Sequence, residues 1–257
     1  MLKEMGLEVW SPHVQSHEAG PGSPQTPLRE EESAADAAQD EAKGPEPAVQ
    51  VAEAPMVVTR SRVSGVSSMG WPELREAVAA CRACKLCEGR RKTVFGVGNE
   101  RAHWMIVGEA PGEQEDLKGE PFVGKAGQLL DNMLGAIGLT RAESDAPRQV
   151  FIANTLKCRP PRNRNPEPDE LAQCEPFLIR QIELVQPRII LAMGRFAVQS
   201  LLKSSDAIGR LRGRVHRYQG VPLVVTYHPA YLLRNPQDKA RSWEDLCLAA
   251  TVAAQAG

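Results

Sequence analysis

Three of the six cysteines in this chain of 257 residues stand at three-residue intervals, as Cys81, Cys84 and Cys87 in CRACKLC. Two more, Cys158 and Cys174, enclose a Pro-rich segment, CRPPRNRNPEPDELAQC. Thiolates at such spacings are ligands of structural zinc and of 4Fe-4S clusters, and spacing alone does not separate the two. Metal-free core cysteines are the alternative, which explains the lone cysteine near the C-terminus better than it explains CRACKLC. The pattern therefore predicts a metal centre.

Polar side chains with other chemistry follow two apolar runs. Asn154 lies near the end of QVFIANTLKC, and its amide offers the donor and acceptor that would match a pyrimidine edge. His228 follows VPLVVTY and is a candidate for stabilising charge. A buried structural Asn and a structural His are the competing interpretations.

The loop GEAPGEQED follows a third apolar run and lacks the Lys-Ser/Thr of a phosphate-binding loop. Its glycines allow backbone N–H groups to approach a ligand, and its acids, among them Glu109 and Glu115, are candidates for positioning water. Phe122, in the EPFVGKAGQ stretch that follows, is either a core residue or a stacking platform for a base.

Basic side chains form two runs that suit a polyanion. Residues 71–257 carry 26 Lys/Arg and 21 Asp/Glu, although the whole chain has a net charge of −1. The candidates for phosphate contact are Arg159, Arg162 and Arg164 in the first run and Arg212 and Arg214 in the second. Solvated loops with incidental charge are the alternative.

The elements that must position these residues alternate between strand and helix. Apolar runs in HWMIVGEAP, QVFIANTLKC, PRIILAMG and VPLVVTYHP predict four buried strands. Helical segments separate them, including one with an expected break at Pro176 and a terminal one around residues 243–253. This order predicts an α/β fold with a parallel sheet covered on both faces, and such sheets bind ligands beyond the carboxyl ends of their strands.

Residues 1–70 have a different composition, rich in Ala, Pro, Glu and Ser, and predict a disordered tail ahead of a folded domain at 71–257. Residues 1–10 are more apolar, so they are either a disordered end or a short docking peptide. The chain shows no signal peptide and no membrane-spanning run, which predicts a cytoplasmic protein with reduced thiols.

Four stretches, taken in order, resemble the family 4 (iron–sulfur) uracil-DNA glycosylases: CRACKLCEGRRKTVFGVGN, IVGEAPGEQEDLKGEPFVGKAGQLLD, NTLKCRPPRNRNPEPDE with the later cysteine, and YHPAYLLRNP. The resemblance covers about residues 81–235. It implies a three-layer α/β/α fold around a four-stranded parallel sheet. It also implies hydrolysis of the bond between uracil and deoxyribose, in single- or double-stranded DNA, as the first step of base excision repair. The cofactor it implies is a 4Fe-4S cluster held by Cys81, Cys84, Cys158 and Cys174, with Cys87 left over.

The resemblance also implies a role for each candidate in the pocket. Phe122 would stack on the flipped base, Asn154 would read its edge, and the Gly108–Glu109–Ala110 backbone would line the pocket. His228 would stabilise the departing uracil anion. Leu232 or Arg234 would fill the gap that the flipped base leaves.

One position departs from the pattern of the wider superfamily. Some branches carry an Asp that orients water where this chain has Ala110, so Glu109 or Glu115 would have to do so. A related branch that traps DNA covalently carries a His in the loop after the second strand. RPPRNRNPEPDE contains no His, so the resemblance implies turnover rather than covalent trapping.

Two other functions compete with a monomeric glycosylase. One is a non-catalytic iron–sulfur module that binds nucleic acid and supports a DNA polymerase. The other is a zinc-stapled nucleotide hydrolase, which lacks the expected phosphate-loop lysine. Side chains at three separate strand ends favour the glycosylase, since a simple binding module has no need for such convergence.

Overall fold

A computed structural model describes residues 65–256 of the chain. The predicted tail, apart from residues 65–70, and the docking peptide at 1–10 lie outside the described residues. No helix in the part that the structure describes is long and apolar enough to cross a membrane.

The four predicted strands form the centre of the sheet. They are β2 (Trp104–Gly108), β3 (Phe151–Asn154), β4 (Ile189–Met193) and β6 (Val221–Thr226). Neighbours among them pair in parallel, in the order β3-β2-β4-β6. β3 lies on one side of β2, and the next strand along the chain, β4, lies on the other side. The strand order therefore reverses at β2, and a ligand-binding crevice is expected beyond the carboxyl ends of the strands at this point.

The sheet of the described region has six strands, not the predicted four. The added strands are β1 (Val97–Gly98) and β5 (Val215–Tyr218), which pair antiparallel with β3 and β6 at the two edges. Neither is an apolar run. β1 has only two residues, and the side chains of β5 alternate between exposed and half-buried, as expected at an edge.

Helices cover both faces of the sheet, which confirms the three layers. Those described within residues 65–256 are α1 (Trp71–Ala80), α2 (Leu86–Gly89), α3 (Glu113–Lys118), α4 (Lys125–Ala136), α5 (Pro168–Val185), α6 (Arg195–Leu202), α7 (Ile208–Leu211), α8 (Pro229–Arg234) and α9 (Lys239–Gln255). One core packs α1, α5 and α6 against the face that carries Met105 and Val107. The other packs α4, α8 and α9 against the face that carries Trp104 and Ile106. Adjacent residues of one strand thus enter opposite cores.

Helix α5 continues through Pro176, where the sequence predicted a break. A proline inside a helix removes one backbone hydrogen bond. Here the buried side chains on either side, Cys174, Phe177 and Leu178, belong to one core, and their packing favours a continuous helix over a break.

Candidate active site

A cavity of about 710 Å³ opens at the carboxyl edge of the parallel strands, and we call it the edge pocket. The exits of all four central strands contribute to it, through Glu109, Asn154, Gly194 and His228. The side chains that the sequence singled out at separate strand ends are therefore close together, as the rule for parallel sheets predicts.

Backbone hydrogen bonds extend the pairing of β2 and β3 past the ends of both strands. The carbonyl of Gly108 accepts from the N–H of Thr155 at 3.0 Å, and that of Glu109 accepts from the N–H of Leu156 at 3.1 Å. The Thr155 hydroxyl also donates to the Glu109 carbonyl. These bonds fix residues 108–110 relative to Asn154, so one wall of the pocket has little freedom.

Asn154 is 2% exposed, and its Oδ1 has no hydrogen-bond partner among the described residues. A buried amide oxygen without a partner costs on the order of 1–3 kcal/mol. Because Asn154 lines the edge pocket, a ligand that donates a hydrogen bond there would remove this cost.

Gly108 makes room for both of its neighbours. A Cβ atom at this position would lie 2.5 Å from Oδ1 of Asn154 and 2.5 Å from Cζ of Phe122. Both distances are well below van der Waals contact, so a side chain here would displace the amide or the phenyl ring. The glycine therefore allows Asn154 and Phe122 to converge on the same pocket wall.

The loop that carries Phe122 is held in an unfavourable conformation. The φ angle of Phe122 is 55°, which costs a non-glycine residue about 1–2 kcal/mol. Gly127 allows the loop to lie against α4, since a Cβ there would come within 1.7 Å of the Phe122 carbonyl oxygen. Glu115 fastens the same loop by accepting from the N–H groups of Val123 and Gly124 at 2.9 and 3.3 Å.

His228 lies beside Phe122 in the pocket, with ring centroids 5.3 Å apart and an angle of 26° between the planes. It is the N-cap of α8, and its Nδ1 accepts a hydrogen bond from the N–H of Ala230 at 3.1 Å. Burial, with a smaller effect from the positive charge of Arg234, lowers the pKa of His228 to about 4. The imidazole is therefore neutral at physiological pH and carries its proton on Nε2.

The two candidate acids differ in their surroundings. Glu115 uses both carboxylate oxygens for backbone N–H groups, including that of Gly112 at 3.1 Å, and so has a structural role. Glu109 is one of the residues that line the edge pocket. Burial raises the pKa of Glu109, and the charge of Arg195 partly offsets this effect.

The first basic run lies in the loop between β3 and α5. Arg164 is committed to the Glu170 carboxylate through two hydrogen bonds of 2.9 and 2.6 Å. Arg159 donates to Asn163 at 2.7 Å. Arg162 is exposed and has no ion pair among the described residues, so its guanidinium is available to a ligand.

Arg212 and Leu232 differ from their predicted roles. The Arg212 side chain is 14% exposed and pairs with Asp245 and Glu244, because α9 carries both acids past it. Leu232 is fully buried in the core and cannot enter a DNA stack. Its neighbour Leu233 is 44% exposed, because a one-residue step along α8 turns the side chain to the other face. Arg214 and Arg234 are exposed, as their predicted roles require.

Three pocket residues were missed by sequence reasoning. Arg195 begins α6, and Tyr227 and Tyr231 lie on either side of His228. The two tyrosine rings stack with centroids 5.1 Å apart, and the Tyr231 hydroxyl donates to Asp238 at 2.8 Å. The available signals were the MGR segment after the third predicted strand and the two tyrosines four residues apart in YHPAY.

The cysteines converge on a second, mainly apolar pocket. All six cysteines of the chain are free thiols, and five line this cysteine pocket: Cys81, Cys84, Cys87, Cys158 and Cys174. Cys81 ends α1, Cys158 follows β3, and Cys174 belongs to α5. Cys87 also lines a separate surface depression. Within residues 65–256, no group of three or more Cys, His, Asp or Glu side chains is arranged to hold a single metal ion.

The thiols fit the donor set of an iron–sulfur cluster in chemistry and surroundings. Burial raises the pKa of Cys158 to about 11 and that of Cys174 to about 12, so metal binding would have to displace their protons. N–H groups already point at these sulfurs. Arg90 donates to Sγ of Cys158 at 3.1 Å, and the backbone of Lys157 donates to Sγ of Cys174 at 3.2 Å. Hydrogen bonds of this kind stabilise cluster-bound thiolate.

Lys157 connects the cysteine pocket to the edge pocket. Its side chain is 1% exposed, so it does not contact phosphates. Its ammonium group donates to the Asn154 carbonyl at 2.8 Å and to Oε1 of Gln181 at 2.6 Å. Lys157 thus forms hydrogen bonds both to the sulfur of Cys174 and to the backbone carbonyl of Asn154, a residue that lines the edge pocket.

The comparisons with known proteins agree with this geometry. The family model of the uracil-DNA glycosylase superfamily matches residues 95–249. The type-4 uracil-DNA glycosylase of Archaeoglobus fulgidus is 45% identical over 168 residues, covering 62% of this chain and 81% of that protein. The chain belongs to the type-4 uracil-DNA glycosylases.

Two further type-4 uracil-DNA glycosylases show the extent of the match. The Saccharolobus solfataricus protein is 44% identical over 172 residues, 63% of this chain and 77% of its own length. The Pyrobaculum aerophilum protein is 40% identical over 190 residues, 70% of this chain and 93% of its own length. The match to the superfamily begins at residue 95, so CRACKLC lies ahead of it.

Proposed function

We propose that this chain removes uracil from DNA by hydrolysing the bond between the base and deoxyribose, leaving an abasic site. Membership of the type-4 family supports the reaction class. The observation that carries the proposal is the buried Oδ1 of Asn154, which has no hydrogen-bond partner among the described residues and lies beside Gly108 in a pocket that also holds a neutral histidine.

Uracil inside a duplex is out of reach, so the nucleotide must rotate into the edge pocket. There the Asn154 Oδ1 accepts the N3–H of uracil, and the Asn154 amide N–H can donate to the adjacent O4. Cytosine has no N3–H and carries an amino donor in place of O4, so both contacts are lost. Phe122 supplies an aromatic face on which the flipped ring stacks.

His228 acts on the leaving group. When the bond between C1′ and N1 breaks, its electron pair goes to uracil, and negative charge develops on O2. A neutral imidazole with its proton on Nε2 donates a hydrogen bond to that oxygen, and the Ala230 N–H holds the ring in this tautomer. The uracil anion then takes a proton from solvent.

Water completes the reaction at C1′. Glu109 is the acid best placed to orient it, because this residue lines the edge pocket and its carboxyl has no hydrogen bond to another described residue, whereas Glu115 is occupied by backbone N–H groups. The water oxygen bonds to C1′, and its proton passes to the Glu109 carboxylate and then to solvent. Positive charge on the sugar favours an ionised carboxylate nearby.

DNA approaches across the carboxyl edge of the sheet. Arg162, Arg214 and Arg234 are exposed cations that can meet phosphates, and the guanidinium of Arg159 is partly engaged by Asn163. Leu233 is exposed on α8 next to the pocket and is the apolar side chain that can enter the stack in place of the flipped base. Single-stranded DNA needs no such wedge.

The cysteine pocket would hold a 4Fe-4S cluster through Cys81, Cys84, Cys158 and Cys174. Bound there, the cluster would join α1, the β3 exit and α5 into one unit and thereby hold the Arg159–Arg164 loop beside the edge pocket. Cys87 is the exception among the five thiols, since it also faces the outer surface.

The test is excision of uracil by the intact chain. The protein is purified anaerobically and incubated with a labelled oligonucleotide that contains one uracil, and abasic sites are cleaved by alkali. We expect strand scission at the uracil and none in a thymine control. A protein that absorbs near 400 nm, binds the oligonucleotide and yields no scission would contradict the proposal and favour the non-catalytic module.

One variant distinguishes a glycosylase from a non-catalytic DNA-binding module. His228→Ala should lower the single-turnover rate about 10²- to 10³-fold, since one oxyanion donor is removed, while DNA affinity changes little. A binding module would lose affinity or show no change at all.

A further inference from the structure

A surface depression of about 580 Å³ lies next to the cysteine pocket, and its lining is strongly basic. It is formed by Arg82, Arg90, Arg91 and Lys92 together with Gly119 and three uncharged residues. No acidic side chain of residues 65–256 lines it. We call it the basic depression.

Most of these cations have no counter-ion. The side chains of Arg82, Arg91 and Lys92 are exposed and make no ion pair among residues 65–256. Asp116 contacts this segment, but its carboxylate is buried and accepts from the backbone N–H of Arg91 at 3.0 and 3.1 Å. That contact fixes the backbone and leaves the Arg91 guanidinium free.

Arg90 has a different role from its neighbours. Its guanidinium donates to Sγ of Cys158 and to the carbonyl of Ala79, each at 3.1 Å. It forms the floor between the basic depression and the cysteine pocket. The ammonium group of Lys92 donates only to the Lys118 carbonyl, at 3.5 Å. Three cations without ion pairs among the described residues thus surround a fixed positive charge, an arrangement that suits consecutive phosphates better than a single counter-ion.

Helix α3 sets the distance from the basic depression to the edge pocket. Gly112 and Glu115, at the start of α3, line the edge pocket, and Gly119, just after its end, lines the basic depression. A six-residue helix is about 9 Å long at 1.5 Å per residue. Phosphates in a DNA strand advance about 3.4 Å per nucleotide along the axis, so this distance corresponds to about three nucleotides.

We propose that the basic depression is a second DNA-binding site, which holds the phosphodiester backbone two to four nucleotides from the flipped uracil. The site lies outside the Arg159–Arg164 loop and extends the DNA-binding surface past the cysteine pocket. The inference rests on the proposed function in so far as the bound strand is the one that carries the uracil.

The first test measures binding to uracil-free duplex DNA by fluorescence anisotropy over a range of salt concentrations. Arg82→Gln/Arg91→Gln is compared with Arg101→Gln/Arg148→Gln, which removes two exposed arginines without ion pairs elsewhere on the described surface. We expect the slope of log Kd against log salt to fall by about 2 in the first variant and to stay unchanged in the second, since each phosphate contact contributes about 0.9. Equal slopes in the wild type and the first variant, or equal losses in both variants, would overturn the site.

The second test locates the contact. Neutral methylphosphonate linkages are placed two to four nucleotides from the uracil, on either side in turn. On one side they should weaken binding of the wild type but cause no further loss in Arg82→Gln/Arg91→Gln. Losses that simply add at every position would refute the assignment.

These readouts keep the two proposals apart. If the chain binds DNA through the basic depression but excises no uracil, only the proposed function is contradicted. If the chain excises uracil and the salt dependence of DNA binding is the same in Arg82→Gln/Arg91→Gln as in the wild type, only the second site is contradicted. Absorbance near 400 nm and the thermal midpoint of each variant show whether it is folded and keeps its cluster.

Discussion

The N–H of Ala230 donates to Nδ1 of His228, with 3.1 Å between the two nitrogens. Because Ala230 lies in the first turn of α8, this hydrogen bond caps the helix and fixes the imidazole tautomer at the same time. The residue that we propose to stabilise the leaving group is thereby oriented by the start of a helix.

The pH dependence of catalysis should reflect the low pKa of His228. Since the pKa is lowered from 6.5 to about 4, the imidazole stays neutral across the physiological range, and its protonation should slow excision only near pH 4. The unfolded chain takes up this proton near pH 6.5, so the free energy of unfolding should fall as pH drops from about 6.5 to about 4. Single-turnover rates and denaturant titrations between pH 4 and 8 measure both. A step near pH 6.5 that disappears in His228→Asn, but not in Glu109→Gln, would contradict the assignment.

Substitution of Gly108 should damage the pocket without damaging the fold. A Cβ there would clash with Asn154 and Phe122 at 2.5 Å, so Gly108→Ala should lower the excision rate by at least about tenfold. Gly135→Ala is the matched control, because no atom lies within 4 Å of its Cβ. Since Gly135 is inside α4, the control should gain about 0.5–1 kcal/mol of stability. Unimpaired excision by Gly108→Ala would show that the base does not bind against this wall.

Arg212 and Arg214 should separate stability from DNA binding. Arg212 pairs with the fully buried Asp245, so Arg212→Gln leaves a buried carboxylate without its counter-charge, with the Gly213 N–H still donating to it, and should cost about 3 kcal/mol of unfolding free energy. Arg214 is exposed, so Arg214→Gln should leave the thermal midpoint unchanged and reduce the salt dependence of DNA binding. If Arg212→Gln instead reduced the salt dependence of DNA binding and left stability unchanged, Arg212 would be a phosphate contact after all.

The cysteines should differ in their effect on the cluster. Cys84→Ser should lose iron, absorbance near 400 nm and solubility, because one of the four proposed ligands is removed. Cys87→Ser should keep all three, since Cys87 also lines the outer depression. Iron and sulfide analysis after anaerobic purification measures the outcome. If Cys87→Ser lost iron and Cys84→Ser kept it, Cys87 rather than Cys84 would be the cluster ligand.

Sequence reasoning identified the strands that form the centre of the sheet and the side chains that meet at their ends. Asn154 and His228 were found because parallel strands place their carboxyl ends at one edge, so spacing along the chain was sufficient. The edge strand β1 was missed because it has only two residues. The edge strand β5 was missed because its side chains are exposed or half-buried and show no apolar pattern.

Other features depend on contacts that no local pattern contains. Asp245 lies 33 residues from Arg212, and only the packing of α9 against β6 brings the two together. Leu232 and Leu233 are identical in type, and the orientation of α8 decides which is buried. The strained backbone at Phe122 could not be anticipated either, since it results from Glu115 and Gly127 acting together.

The two hydrogen-bonding ends of Lys157 join the cysteine pocket and the edge pocket mechanically. Its backbone N–H points at the sulfur of Cys174, and its ammonium group supports the carbonyl of Asn154. A displacement of the Cys174 sulfur is therefore transmitted, through one buried side chain, to the backbone that positions the Asn154 amide.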